Sequence, residues 1–541
     1  MTSPTPSPLA PISNAVETVR VLIESGILRP MRPDRLVGMV SALRTWGLTL
    51  AGGADGAAAL HPDKTAIVDE RGTLSFAELQ ARTTALAEGL AAEGISPGDN
   101  VGVLCRNHRG IVEATVALSK LGANALYLNT SFAGPQVAEV SRREGATAVI
   151  YDAEFEPVMG SIGDVARFVA WTGGEAVDHP SLDDLIGSHD HTPIEPPDKP
   201  GRQVILTSGT TGTPKGATRS NPASADPIVA ILSRIPLRAG ETTFLAAPMF
   251  HAWGFAHMSL GLLLSSTMVM RRTFDPEETL AAIAQHRAST LIAVPVMLQR
   301  IMALPGDVRR RYDTSSLRVV ALSGSALSGD LAKRFMDEFG DVIYNLYGST
   351  EVAWASIATP EDLRAAPGTA GRAPRGTILR ILDEQGHEVP AGETGRIFVG
   401  NEMLFEGYTG GAGSKEVIDG LMSTGDVGHL DREGRLFIEG RDDDMIVSGG
   451  ENVFPQEVEE LIGGHEAVAD CAVVGVDDET YGQRLKAFVV LRPGASLSEE
   501  QIKDFVKQHL ARFKVPREVV FLDELPRNPA GKILKRELKE G

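Results

Sequence analysis

The segment Val204-Ile205-Leu206-Thr207-Ser208-Gly209-Thr210-Thr211-Gly212-Thr213-Pro214-Lys215-Gly216 places hydroxyls, glycines and a lysine directly behind an apolar run. The apolar run reads as a buried strand that feeds a loop of small residues. Glycine lets such a loop curl until successive backbone N–H groups face an anion. The hydroxyls of Thr207, Ser208, Thr210 and Thr211 add donors, Gly209 and Gly212 give the curvature, and Lys215 adds positive charge. That combination is a polyphosphate cradle; the plainer alternative is a polar surface loop. The pattern G-x-x-x-x-G-K-[ST] is not met, because Pro214 stands where a second glycine is required. An ordinary P-loop nucleotidase is therefore excluded.

A second group, Asn345-Leu346-Tyr347-Gly348-Ser349-Thr350-Glu351, ends a predicted strand. Ligands of open α/β sheets gather outside the carboxyl ends of strands. The Tyr347 ring can stack on a purine, and Asn345 can accept from its exocyclic amine. Thr350 can hold a phosphate oxygen, and Glu351 can ligate Mg²⁺, which takes carboxylate together with substrate phosphates. In Ser423-Thr424-Gly425-Asp426 the aspartate suits a vicinal diol, although aspartate beside glycine is also ordinary turn chemistry.

The elements that must carry these groups follow from periodicity. A hairpin is expected at Thr65–Val68 and Thr73–Phe76, then a helix over 76–92 capped by Ser75. Strands at Asn100–Leu104, Ala125–Leu128 and Ala148–Tyr151 alternate with helices at Gly110–Leu121 and Pro135–Glu144. This βαβα order argues for a mostly parallel sheet flanked by helices. The pattern continues through Leu291–Val294, Val319–Leu322 and Val342–Leu346, after a Pro-rich connection at 193–201. Near residue 370 short strands and Gly-rich turns replace it, as in a small β subdomain. A last unit from about Asp444 has strands at Cys471–Val476, Ala487–Arg492 and Val519–Phe521 and helices at Pro455–Gly463 and Ser498–His509. The expected class is α/β: a large N-terminal domain of several subdomains with parallel sheets and a small β subdomain, then a small mobile α+β C-terminal domain. The expected divisions are a helical extension at 1–60, the large domain at 61–441 and the mobile domain at 444–541.

Composition limits the alternatives. The 541 residues are 43% hydrophobic and 23% charged, which is globular and long enough for more than one domain. Lys plus Arg is 52 against 71 for Asp plus Glu, a net charge of −19. So acidic a chain is a poor general binder of nucleic acid, and any phosphate site must be local. Two cysteines, Cys105 and Cys471, make neither a disulfide scaffold nor a zinc spacing and fit a reducing, cytoplasmic setting. No secretory signal is read at the N-terminus, whose first basic residue is Arg20. Residues 242–270 carry no Asp, Glu, Lys or Arg, but Pro248, His251, Gly254, His257 and Gly261 argue for strand, loop and core helix rather than a membrane span. Leu36, Met39, Val40, Leu43, Trp46 and Leu50 recur at helical spacing among Arg29, Arg32, Arg35 and Arg44. That stretch is expected to dock on the protein's own surface or on a second subunit of a homodimer. The alternative is an interfacial helix on anionic lipid within residues 15–50, a peripheral contact at the inner membrane face.

T-S-G-T-T-G-x-P-K-G resembles the signature of the adenylate-forming superfamily, which includes acyl-CoA synthetases, firefly-type luciferases and peptide-synthetase adenylation domains. The other motifs follow in the family's order over residues 61–541. Asn345–Glu351 matches the motif with the nucleotide and Mg²⁺ roles given above. Ser323-Gly324-Ser325-Ala326-Leu327 resembles the loop whose backbone lies along the adenine, with two serines where Gly and Ala are usual. Asp426 matches the ribose-binding aspartate. Arg441 takes a ribose or phosphate contact, and Asp443 is the hinge. Ser448-Gly449-Gly450-Glu451 opens the mobile domain, with Gly449 and Gly450 implied at a pantetheine tunnel. Pro526-Arg527-Asn528-Pro529-Ala530-Gly531-Lys532 matches the last motif, whose lysine reaches the substrate carboxylate and α-phosphate.

The resemblance implies a reaction in two halves with ATP, Mg²⁺ and coenzyme A. A small-molecule carboxylic acid attacks the α-phosphorus to give acyl-AMP and pyrophosphate; coenzyme A thiol then displaces AMP. Lys532, Thr207, Lys215, Glu351 and His251 are the implied catalytic residues, with Glu351 and Thr207 at the metal. Residues 503–541 hold ten Lys and Arg against six Asp and Glu, a local surplus for the phosphates of coenzyme A or simply a solvated face. Pro248–Phe255 resembles the segment lining the acyl site. His251 stands near where amino-acid-activating domains carry an aspartate, which argues against an amino acid. Met249, Phe255, Met258 and Val294-Pro295-Val296-Met297-Leu298 suit a hydrophobic chain, and the chain resembles actinobacterial fatty-acid–CoA ligases, so a medium- to long-chain acid is expected. The alternatives are a fatty acyl-AMP ligase that loads a carrier protein, or a ligase for an aryl or other acid. The first is disfavoured because no extra segment is evident between Gly348 and Arg441. A non-enzymatic remnant is disfavoured because Lys215, Glu351, Asp426 and Lys532 are all in place.

Overall fold

The computed structural model describes residues 10–189, 194–207, 215–218, 224–409, 415–442, 446–448, 451–478, 482–528 and 531–540. Two largely parallel sheets form the bulk of the molecule. The first has strand order Ser356–Ala358, Ile343–Tyr347, Val319–Leu322, Thr290–Ala293, Thr242–Leu245, Thr267–Met270, Thr65–Asp69, Gly72–Ser75. It is parallel except for the antiparallel strand at each edge. The second runs Gly407–Tyr408, Lys215–Thr218, Gln203–Thr207, Asn124–Tyr127, Asn100–Leu104, Ala146–Asp152, Ala166–Trp171. It is parallel from Gln203–Thr207 onward and antiparallel at the other end.

Shared helices lie between the sheets. Phe76–Ala92 starts at a reciprocal cap in which Ser75 Oγ accepts from Glu78 N–H at 3.2 Å and Glu78 accepts from Ser75 N–H at 2.6 Å. Arg109–Leu121 is almost wholly buried. One apolar core joins Ile67, Leu245 and Met268 of the first sheet to Val101, Val103 and Ala125 of the second. Polar ties cross the same seam: Arg109 makes a buried ion pair with Asp69, at 2.6 Å. A buried charge is tolerated only with such pairing.

The β subdomain is antiparallel, with Ile378–Leu382, Gly395–Gly400, Leu421–Leu430, Val417–Ile418 and Leu436–Arg441. Its ten-residue strand Leu421–Leu430 runs through Gly425-Asp426, so Asp426, for which a turn was the plain alternative, is a strand residue paired in register with Arg441. The C-terminal sheet pairs the long strands Val468–Asp478 and Gly482–Leu491 antiparallel, with Glu518–Phe521 added in parallel. Pro455–Gly463 and Glu499–His509 cover one face.

Residues 242–270 form strand, helix and strand, and among the described residues no helix is long and apolar enough to cross a membrane. At the N-terminus lie α1 (Ala10–Glu24), α2 (Pro33–Trp46) and α3 (Leu50–Leu60). The helical spacing that seemed to run from Leu36 to Leu50 is interrupted: α2 stops at Trp46, and Thr49 caps a new helix by accepting from Gly52 N–H. Leu50 therefore belongs to α3, which is buried, while α2 lies over it with no fully buried side chain.

Candidate active site

A cavity of about 2630 Å³ opens where the carboxyl ends of the first sheet's strands meet the β subdomain and the C-terminal unit. Ser323, Gly324 and Ser325 follow the strand Val319–Leu322, and Asn345 and Tyr347 end the adjacent parallel strand; all five line the cavity. Gly348 turns the chain so closely that a Cβ there would lie 2.2 Å from the Ala353 carbonyl oxygen, which only glycine allows. Asn345 is 7% exposed and its Oδ1 has no hydrogen-bond partner. An orphaned buried acceptor at a strand end fits a ligand amine, the donor that a purine would bring.

The groups expected on the phosphate side converge through a contact invisible to local pattern. Thr207 and Lys215 pair across a hairpin whose loop, Ser208–Pro214, lies outside the described residues. Lys215 Nζ sits 5.2 Å from the Tyr408 ring centroid, and Tyr408 donates to Glu351 Oε1 at 2.7 Å. Tyr408 reaches this place on a two-residue strand paired to Lys215–Thr218. Burial raises the Glu351 pKa, but hydrogen bonds from Tyr408, Ser349 and its own amide, with the Lys415 charge, leave it below the ordinary value. An ionised carboxylate beside Thr350 is the donor type Mg²⁺ takes. Tyr408, Ser349 and Lys415 were not singled out from sequence; Tyr408 and Lys415 are far from Glu351 along the chain.

Asp426 is the second convergence. Tyr347 donates its hydroxyl to Asp426 Oδ2, and Arg441 Nη1 approaches Oδ1 at 4.0 Å. Burial raises the Asp426 pKa, against the opposing pull of Tyr347, Arg441, Lys532 and Lys415. Lys532 thus lies near Asp426 although it belongs to the C-terminal unit. Its loop is held by Asn528 Oδ1, which accepts from Lys532 N–H at 2.9 Å, and by Arg527, which bonds the Gly531 carbonyl and pairs with Asp470. Gly531 has φ +77°, and a Cβ there would meet Val296 Cγ1 at 2.5 Å. The loop is seated against the wall of the large domain, with its lysine on the cavity.

Phe250, His251, Trp253, Phe255, Val296 and Met297, from the segments expected to line the acid site, form an apolar wall of the cavity. Burial pushes His251 down to about 4 and His257 to about 3, so both imidazoles are neutral near pH 7. Met249, Met258 and Leu298, expected here, are instead fully buried in the cores behind the wall. On helix Ala252–Leu263, Phe255 and Ser259 line the cavity while Met258 is packed into the core beside them. Asp443, Gly449, Gly450 and the loop residues Ser208, Gly209, Thr210, Thr211 and Gly212 lie outside the described residues.

Comparison with known proteins agrees with this geometry. The model of the AMP-binding enzyme family matches residues 55–409, and that of the AMP-binding enzyme C-terminal domain matches 457–532. A feruloyl-CoA synthase from Amycolatopsis is 34% identical over 491 residues, covering 89% of this chain and 96% of the relative. An indoleacetate–CoA ligase from Aromatoleum aromaticum is 33% identical over 494 residues, with 89% and 96% covered. The solved o-succinylbenzoate CoA synthetase of Bacillus subtilis, in complex with its acyl-adenylate intermediate, superposes with a TM-score of 0.78 at 28% identity, covering 90% of this chain and 98% of that one. The chain belongs to the AMP-binding enzyme family and is an AMP-forming acid–thiol ligase that uses ATP, Mg²⁺ and coenzyme A.

Proposed function

We propose that the enzyme activates a hydrophobic carboxylic acid, ring-bearing or long-chain, and passes it to coenzyme A. The acid wall carries this reading: aromatic and aliphatic side chains surround neutral imidazoles, with His251 where an ammonium partner would be needed. The feruloyl and indoleacetate relatives favour a ring over the straight chain that the fatty-acid resemblance suggests.

In the first half the substrate carboxylate bonds to the α-phosphorus of ATP while the bond to pyrophosphate breaks. Asn345 and the Ser323–Ser325 turn hold the base, and Asp426, Tyr347 and Arg441 hold the ribose. Thr207, Lys215 and the loop between them, with Thr350, hold phosphate oxygens. Lys532 supplies positive charge where negative charge gathers, so the step rests on positioning and electrostatics rather than a protein nucleophile. Glu351 and Thr207 would hold Mg²⁺, which neutralises phosphate charge when bound. In the second half the 444–541 domain turns about Asp443, withdraws Lys532 and brings Gly449-Gly450 to the pantetheine. The C–S bond forms, the acyl–AMP bond breaks and the thiol proton leaves.

The test is kcat/KM for coenzyme A thioester formation across aryl, arylalkanoic, straight-chain and amino acids. Hydrophobic acids should exceed any amino acid by at least tenfold, as roughly 1–3 kcal/mol of pocket discrimination allows. An amino acid as the best substrate would end this reading.

A further inference from the structure

Of the eleven large apolar side chains exposed among the described residues, eight lie between Val16 and Leu48. Val16, Val19 and Ile23 make one stripe of α1. Leu36, Val37 and Val40 lie on α2, where Val37 is 69% exposed. Single exposed apolar residues are ordinary, but a concentration in one short segment marks an interaction surface.

Cations gather around the C-terminal end of α3. Arg29 Nη2 is 2.6 Å from His61 Nε2, Arg35 donates to the Ala59 carbonyl, and Lys64 donates to the carbonyls of Gly240 and Ser265. Among the described residues none of these three cations is ion-paired with a carboxylate. Burial, then Arg29, Lys64 and Arg35 in turn, push the His61 pKa down, so the cluster shares one local positive field. A cationic cluster on a chain of net charge −19 is a local departure.

The same segment reaches the active site. Leu43, Leu48 and Leu50, at the turn between α2 and α3, line the cavity that also carries His251 and Trp253. Leu48 is 46% exposed, so the apolar surface continues from the outside into the cavity.

We propose that α1, α2 and the α2–α3 turn form a face that docks on an anionic lipid bilayer, and that the hydrophobic acid enters from the bilayer between Leu43, Leu48 and Leu50. The entry route rests on the acid–CoA ligase reading; the docking does not. Apolar side chains enter the headgroup boundary while Arg29 and Arg35 meet lipid phosphate. A second copy of the chain fits less well. A two-fold contact buries the same patch of both subunits, so it would enclose two copies of this cationic cluster in one interface.

The test is co-flotation of the full chain with vesicles of phosphatidylcholine alone or mixed with phosphatidylglycerol. The protein should float with the mixed vesicles and stay behind with the neutral ones. Arg29→Ala with Arg35→Ala should weaken partitioning about thirtyfold, at about 1 kcal/mol per cation. Val37→Asp with Val40→Asp should abolish it. Both variants should keep wild-type melting and wild-type thioester turnover on a short water-soluble acid without vesicles. Failure of the wild type to form a thioester from any hydrophobic acid would end the proposed substrate reading and leave the flotation result standing. No flotation of the wild type with anionic vesicles, or equal flotation of both variants, overturns the proposal. So does a sedimentation shift from dimer to monomer in Val37→Asp/Val40→Asp, which would make the face a subunit interface.

Discussion

Lys532 lies close enough to Asp426 to favour its anion, so the lysine stands at the proposed ribose end of the cavity. Removing a placed charge from a developing phosphoryl transition state costs roughly a hundredfold or more. Lys532→Ala should therefore lose acid-dependent pyrophosphate release by at least that factor, yet form thioester from supplied acyl-AMP at close to the wild-type rate. Equal loss of both halves, in a single-turnover comparison, would remove the role assigned to Lys532. Glu351 is held ionised by Tyr408, which also lies under Lys215. Tyr408→Phe should therefore raise the Mg²⁺ concentration needed for half-maximal adenylation several-fold, and Glu351→Gln should raise it further. A Mg²⁺ titration that is unchanged in Glu351→Gln would contradict the metal assignment. The Thr207–Lys215 and Asn345–Glu351 groups were legible as chemistry behind predicted strands, while Asp426, Arg441 and Lys532 were expected from the family resemblance. Tyr408 was not, because its contribution comes from a strand of two residues paired across nearly two hundred positions of chain.

In the proposed mechanism, elements more than single groups decide which half-reaction proceeds. The Lys532 loop stays on the cavity because Gly531 fits against Val296 with φ +77°. Gly531→Ala adds a Cβ at 2.5 Å from Val296 Cγ1, so the loop must back away. Adenylation should fall at least tenfold while thioester formation from acyl-AMP is retained, read by the same split assay. Retained adenylation would show that the seating is unimportant. Parallel strands and their helices were readable because buried runs and amphipathic periods repeat; Asn100–Leu104 and Val319–Leu322 begin and end where the pattern places them. The strand Leu421–Leu430 was not, because Gly425 and Gly428 interrupt its alternation and only cross-strand pairing with Leu436–Arg441 restores it. Likewise the face of helix Ala252–Leu263 that lines the cavity could not be told from the face that meets core, since both are apolar.

Across the whole molecule, the neutral histidines couple stability to pH. His251 and His257 have folded values near 4 and 3, below the unfolded 6.5. The unfolded chain then binds more protons between those values, so their contribution is full above pH 6.5 and is lost as pH falls toward 4. The slope is at most about 1.4 kcal/mol per pH unit for each histidine. Denaturant melts of the free protein from pH 7 to pH 5 should show stability falling, and His257→Gln should flatten the fall. An unchanged slope in that variant would mean His257 binds protons alike in the folded and unfolded chains. The central claim concerns the reaction itself, and product mass spectrometry with Mg·ATP and the best hydrophobic acid, with and without coenzyme A, tests it most directly. Acyl-AMP and pyrophosphate should form without coenzyme A, and with it the acyl-AMP should be replaced by the acyl-CoA thioester and AMP. Acyl-AMP that accumulates unchanged in the presence of coenzyme A would contradict the second half and point to a carrier protein as the acceptor.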